Sequence, residues 1–128
     1  MGVFGRLGWA DGTYESYEYT DIDRTAQAGV SVTGARWGRK DDTVAAAVVV
    51  NKLSGAGHRY LDAGGLGILV GDGRLARAGS EAIVEAYYSL SLAKDMTLSL
   101  SDQFVEHPAY NRDRGPVNVV SLRLHLQR

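Results

Sequence analysis

A period of two governs this chain. In residues 22–36 the even positions Ala26, Ala28, Val30 and Val32 are apolar, while Asp23, Thr25, Gln27, Ser31 and Thr33 between them are polar. Residues 81–92 divide the same way, Ala82, Val84, Ala86, Tyr88, Leu90 and Leu92 against Glu81, Glu85, Tyr87, Ser89 and Ser91. In 96–105, Met96, Leu98, Leu100 and Phe104 oppose Thr97, Ser99, Ser101 and Gln103; in 117–128, Val120, Leu122, Leu124 and Leu126 oppose Ser121, Arg123, His125 and Gln127. Residues 3–11 are a shorter case, with Val3, Leu7 and Trp9 opposite Arg6. A helix would scatter these residues around its circumference, whereas a strand sorts them onto two faces. Residues 43–53 are nearly all Ala and Val, so they form a sixth strand whose faces the pattern does not separate.

Loop lengths add a second constraint. Arg39-Lys40-Asp41-Asp42 and Ala93-Lys94-Asp95 read as tight turns, whereas 12–21, 54–80 and 106–115 are long and rich in Gly, Tyr, Asp and Arg. In an up-and-down sheet this puts every short turn on one edge and every long loop on the other. Outer-membrane barrels divide their connections in this way. A soluble antiparallel sheet with one wet face shows the same strand alternation, so it is loop segregation that favours the barrel. The loop 54–80 carries a short helix near 58–63, ended by Gly64-Gly65, and then an apolar stretch from Leu66 to Val70 expected to pack over or into a barrel mouth. Its glycines lack the order of a phosphate-binding loop.

Composition enters as a set of exclusions. Fourteen Lys and Arg against fifteen Asp and Glu leave a net charge of −1, without the basic footprint that nucleic acid requires. The absence of Cys removes disulfides, thiolate metal sites and Cys nucleophiles. His58, His107 and His125 lack metal-ligand spacing, so no metal and no cofactor is expected. No nucleophile elbow is visible, and Glu81 and Glu85, four residues apart on one strand face, stand about 13 Å apart, too far for a glycosidase pair. An enzyme is therefore not expected. The longest apolar run, Val44 to Val50, is far short of the roughly 20 residues of a spanning helix, and no signal peptide is visible in the first nine residues.

Several segments resemble, in family order, the C-terminal part of the carbohydrate-selective porins of the OprB type. They are Gly2-Val3-Phe4-Gly5-Arg6-Leu7-Gly8-Trp9, Trp37-Gly38-Arg39-Lys40-Asp41-Asp42-Thr43, His58-Arg59-Tyr60-Leu61-Asp62-Ala63-Gly64-Gly65, Gly71-Asp72-Gly73-Arg74-Leu75, Glu85-Ala86-Tyr87-Tyr88 and the ten residues from Pro108 to Val117. The resemblance implies an all-β, antiparallel, up-and-down chain, with residues 1–128 forming the C-terminal segment of a barrel in the bacterial outer membrane. It also implies passive diffusion of mono- or oligosaccharides, contact with outer-membrane lipid, and no nucleic-acid partner. Six strands are too few to close a water-filled pore, so the rest of the barrel or copies of this chain are expected to complete it. The sequence departs from the family pattern at Arg128, where the last strand commonly ends on an aromatic residue, and at Asp102, a carboxylate in the apolar phase.

A sugar passage needs polar hydrogen-bonding groups interleaved with aromatic planes. The polar phase offers Arg6, Asp23, Gln27, Glu85, Tyr87, Gln103, Arg123 and His125 as pore lining. Arg112, Asp113 and Arg114 read either as part of an eyelet or as a salt-bridge lock between loops, with the flanking Pro108, Gly115 and Pro116 favouring the lock. Tyr14, Tyr17 and Tyr19 beside Glu15, Glu18 and Asp21 suggest a sugar-contact surface, an aromatic belt or loop packing. The alternative function is a soluble sugar-binding or self-associating β-sheet module derived from a porin end.

Overall fold

The computed structural model describes residues 1–14, 21–67 and 73–127. They form one six-stranded antiparallel sheet with the strands in chain order: β1 (Gly2–Trp9), β2 (Arg24–Gly34), β3 (Arg39–Lys52), β4 (Glu81–Ala93), β5 (Met96–Glu106) and β6 (Val117–Leu126). The all-β, up-and-down architecture is the one the alternation requires. Among the described residues the one α-helix, α1 (Gly55–Asp62), lies between β3 and β4. Among the described residues no helix is long and apolar enough to cross a membrane, which leaves crossing by strands untouched.

The connections segregate by length. A single 3₁₀ turn, Ala35–Trp37, joins β2 to β3, and Lys94-Asp95 joins β4 to β5; the connections 10–23, 53–80 and 107–116 lie on the opposite edge. The first short turn is displaced from its expected place. Arg39-Lys40-Asp41-Asp42 opens β3, and the chain reverses four residues earlier. Gly34 sets that reversal: a Cβ there would stand 2.0 Å from the Arg39 carbonyl oxygen, so only glycine permits the bulge between Thr33 and Gly34. The charged run resembles a turn in composition, yet Asp42 is buried. Its carboxylate accepts from the Arg39 guanidinium, from the Tyr88 hydroxyl at 2.6 Å and from the Ser91 N–H at 2.9 Å, while Trp37 Nε1 donates to Tyr88 Oη at 3.1 Å. Those five residues stitch the start of β3 and the turn before it to β4.

The sheet is inside out by the standards of a water-soluble fold. In β2 and β3 the apolar phase is exposed and the polar phase half-covered, and β3 now resolves: Val44, Ala46, Val48 and Val50 face the exposed side. Val84, Leu100 and Phe104 continue that exposed apolar surface on β4 and β5, and Val120, Leu122 and Leu124 on β6. Each such side chain kept in water forgoes about 1.5–3 kcal/mol of burial. The more covered side is the polar one, the pattern a sheet makes by curling around its polar face.

The packed core lies off the sheet, at the long-loop edge. Leu53, Leu61, Leu75 and Tyr110 are buried together, with Ala78 against them. Ser54 caps α1 by accepting the Gly57 N–H at 3.0 Å. A helix this short, beginning Gly-Ala-Gly, owes its stability to that cap and to the burial of Leu61 rather than to propensity. β1 and β6 have no strand on their outer side among the described residues, so both edges present unpaired backbone groups.

Candidate functional site

Residues directly opposite in an antiparallel pair share a face, so register decides which side chains meet the same medium. One row crosses the sheet as Phe4, Gly29, Ala47, Glu85, Gln103 and Val119. The row toward the short turns contains Gly2, Ser31, Ala45, Tyr87, Ser101 and Ser121; the row toward the loops contains Arg6, Gln27, Val49, Ile83, Val105 and Val117. Arg123 faces Ser99 and His125 faces Thr97 on the same side. All the expected lining residues within strands therefore share the polar face, but they are spread across it. Arg6 and Arg123 sit on opposite edge strands, five strand spacings or about 24 Å apart.

Within that face the structure builds a trough of about 400 Å³. Its floor is made of small residues, Ser31, Ala45 and Ala47, and its flanks are Phe4 on one side with Glu85 and Tyr87 on the other. Gly29 belongs to the design: a Cβ there would stand 2.3 Å from the Phe4 ring, so the ring lies directly over bare backbone. Gln103 Nε2 reaches Glu85 Oε2 at 3.4 Å, a long contact that leaves the carboxylate capacity for a further donor. An apolar ring, a phenol and a carboxylate thus surround a shallow floor, with the Gln103 amide beside the carboxylate.

The long-loop edge carries a partly buried polar network that sequence reading missed. Thr25 Oγ1 donates to Asn51 Oδ1 at 2.8 Å, Asn51 Nδ2 donates to Glu81 Oε1 at 3.2 Å, and Glu81 Oε2 accepts the Ala109 N–H at 2.9 Å. Glu81 thereby holds the β5–β6 loop where His107, Ala109 and Tyr110 all have left-handed backbone, a conformation uncommon for such residues. Tyr110 is buried and its hydroxyl donates to the Asp21 carbonyl at 3.0 Å. Burial first, and then the carboxylates of Glu81, Asp21 and Asp23, push its phenol above the ordinary tyrosine range. Asp23 is part of the same construction, its Oδ2 accepting the Ser54 N–H at 2.7 Å. Asp113 pairs with Arg77 of the preceding loop at 2.8 Å, and the Arg112 side chain lies against Gly79.

A second cavity, of about 440 Å³, opens beside α1 and is lined in part by Tyr14, Tyr60, Arg59, Asp21 and Asp23. Of the aromatic and acidic group expected in the first loop, Tyr14 and Asp21 fall here, while Glu15, Tyr17, Glu18 and Tyr19 lie outside the described residues, as do 68–72 and Arg128.

Residues 1–127 match the sequence profile of the carbohydrate-selective porins, OprB family. The chain belongs to the OprB family of carbohydrate-selective porins. No curated protein and no solved structure matches it. The family is one of outer-membrane channels, not of enzymes, and the inverted sheet is what such a wall requires, apolar residues toward lipid and polar ones toward water.

In this OprB-family chain Asp102 stands in the exposed apolar row between Ala86 and Val120, flanked along its own strand by Leu100 and Phe104. Phe4, Ser31, Ala45 and Ala47 line the trough, and sequence reading did not single them out as site residues. Phe4 shares the phase of Arg6, and that spacing was the available signal. The floor residues carry no chemistry of their own, so only register could find them.

Proposed function

We propose that residues 1–128 form the closing, C-terminal wall of a carbohydrate-diffusion channel, with the polar face toward a water-filled lumen and the trough as a sugar-contact surface. The observation that carries this reading is the trough, because it combines two aromatic flanks with Glu85, and Gln103 beside it, on a face opposite a predominantly apolar one. Sugars pass down a concentration gradient, with hydroxyls exchanging water for Glu85 and Gln103 and ring C–H faces passing over Phe4 and Tyr87. Arg6, Gln27, Arg123 and His125 extend the polar lining. Asp23 positions the loops, while Asp113, paired with Arg77 and flanked by Arg112 and Arg114, locks them. The strands that complete the barrel come from a longer chain or from further copies. Self-association has one specific point in its favour: β1 runs toward the long-loop edge and β6 away from it, so β6 of one copy and β1 of the next meet antiparallel.

The test is sugar permeation into vesicles carrying the protein. Tyr87→Ala and Glu85→Gln should change the ratio of glucose to chloride flux by several-fold, while Val84→Ala on the opposite face leaves it unchanged. A glucose flux equal to that of protein-free vesicles would contradict the reading.

A further inference from the structure

Where the exposed apolar surface ends at the long-loop edge, its last row is Trp9, Arg24 and Lys52. The row beneath is Leu7, Ala26, Val50 and Ala82. Arg24 and Lys52 are direct cross-strand partners, and both are exposed. Like charges in that relation repel and destabilise a sheet. Among the described residues neither side chain has a hydrogen-bond or ion-pair partner. Of the described acids near this row, Asp11 is taken up by Thr13, whose N–H and hydroxyl its carboxylate accepts at 3.0 and 2.8 Å, and Glu106 lies one row down and two strands beyond Val50, beside His107 at 3.9 Å. The neighbouring acids Asp23 and Glu81 are turned to the other face, where they hold Ser54 and Asn51.

Two unneutralised cations, an exposed indole and a wall of apolar side chains below them have the chemistry of a lipid-headgroup seat. We infer that Arg24 and Lys52 clamp a phosphate group of an anionic lipid in the leaflet around the long-loop edge, with Trp9 beside the headgroup and the acyl chains lying over Leu7, Ala26 and Val50. This inference rests on the reading of the apolar face as lipid-facing. The guanidinium can present two parallel N–H donors to the phosphate oxygens and the ammonium acts as a point charge, so one phosphate relieves the repulsion between them. A free phosphate would satisfy the two cations but would make no use of Trp9 or of the rows beneath, and for that reason the occupant is a lipid. The same seat fixes the long-loop edge at the headgroup level and thereby sets how deep the sheet sits.

The test is native mass spectrometry of the whole chain, released from neutral phosphatidylcholine vesicles made with and without a phosphatidate lipid. The expected result is a retained phosphatidate adduct that Arg24→Gln and Lys52→Gln each weaken about five-fold, in line with one cation near an anionic surface. Lys40→Gln, at the short-turn edge, should leave it unchanged. Equal retention by wild type and by both single variants, or an equal loss with Lys40→Gln, would overturn the inference. Displacement by millimolar inorganic phosphate would overturn the lipid assignment. Should the chain fail to enter vesicles at all, the lipid-facing reading falls and this inference with it; entry without phosphatidate preference sinks the inference alone.

Discussion

The loop cap and the sheet are stabilised in opposite ways. The cap at the long-loop edge is built like a small soluble protein, with Leu53, Leu61, Leu75 and Tyr110 buried and Asp23, Asn51, Ser54 and Glu81 satisfied around them. The sheet has no such interior. Most of its large apolar side chains lie on one exposed face, and its backbone ladder is complete only between the six strands present. Hydrophobic burial holds the cap in water, whereas on the proposed reading the sheet gains it only when a bilayer covers the apolar face. On that reading one chain contains a region adapted to each solvent.

That contrast can be broken most forcefully in the cap. Leu61→Ala should cost about 2–5 kcal/mol of local stability, seen as faster amide exchange across 53–62 with β2–β3 amides unchanged; equal acceleration in both would show that the regions are not separable. On the sheet, Val48→Arg should cost about 2–4 kcal/mol when folding is measured into vesicles. Ala47→Arg, one residue away on the polar face, should cost little, and equal costs would erase the distinction between faces. Asp102→Leu should stabilise the vesicle-inserted chain by about 1–2 kcal/mol, because a carboxylate on a lipid-facing row is unfavourable and less so than a cation. A destabilisation there would mean that Asp102 has a partner in the assembled barrel.

The smallest effect concerns Tyr110. Its folded-state pKa is raised by burial and by nearby carboxylates, so its contribution is intact below the ordinary tyrosine value of about 10 and is lost as pH rises above it. Amide exchange in 107–112 should accelerate above about pH 10 in wild type. Tyr110→Phe should remove that pH dependence while costing about 1 kcal/mol for the lost hydrogen bond to Asp21.

Sequence reading recovered the sheet because two-residue periodicity is written directly into β2, β4, β5 and β6. It could not orient β3, where Ala and Val occupy both phases, and register against Tyr87 and Glu85 was needed to do so. The charged run from Arg39 to Asp42 misled for a physical reason: a buried carboxylate satisfied by three donors has the same composition as a solvated turn. That Arg6, Gln27, Glu85, Tyr87, Gln103, Arg123 and His125 share one face was legible as a phase, but the trough depends on what is absent at Gly29, Ala45 and Ala47, and small side chains leave no chemical signal in one sequence. The loop network was invisible for the opposite reason. Thr25, Asn51, Glu81 and Ala109 are far apart in the chain and meet only through the fold.

Cysteine scanning along β3 tests the inversion of the sheet most directly, since the chain contains no cysteine to confound it. Single cysteines at 43 to 50 would be labelled with a fluorophore in the vesicle-inserted protein and exposed in turn to an aqueous quencher and to brominated lipid. The account predicts strict alternation, with positions 43, 45, 47 and 49 quenched from water and 44, 46, 48 and 50 from lipid. Uniform quenching along the strand, or alternation in the reverse phase, would contradict it.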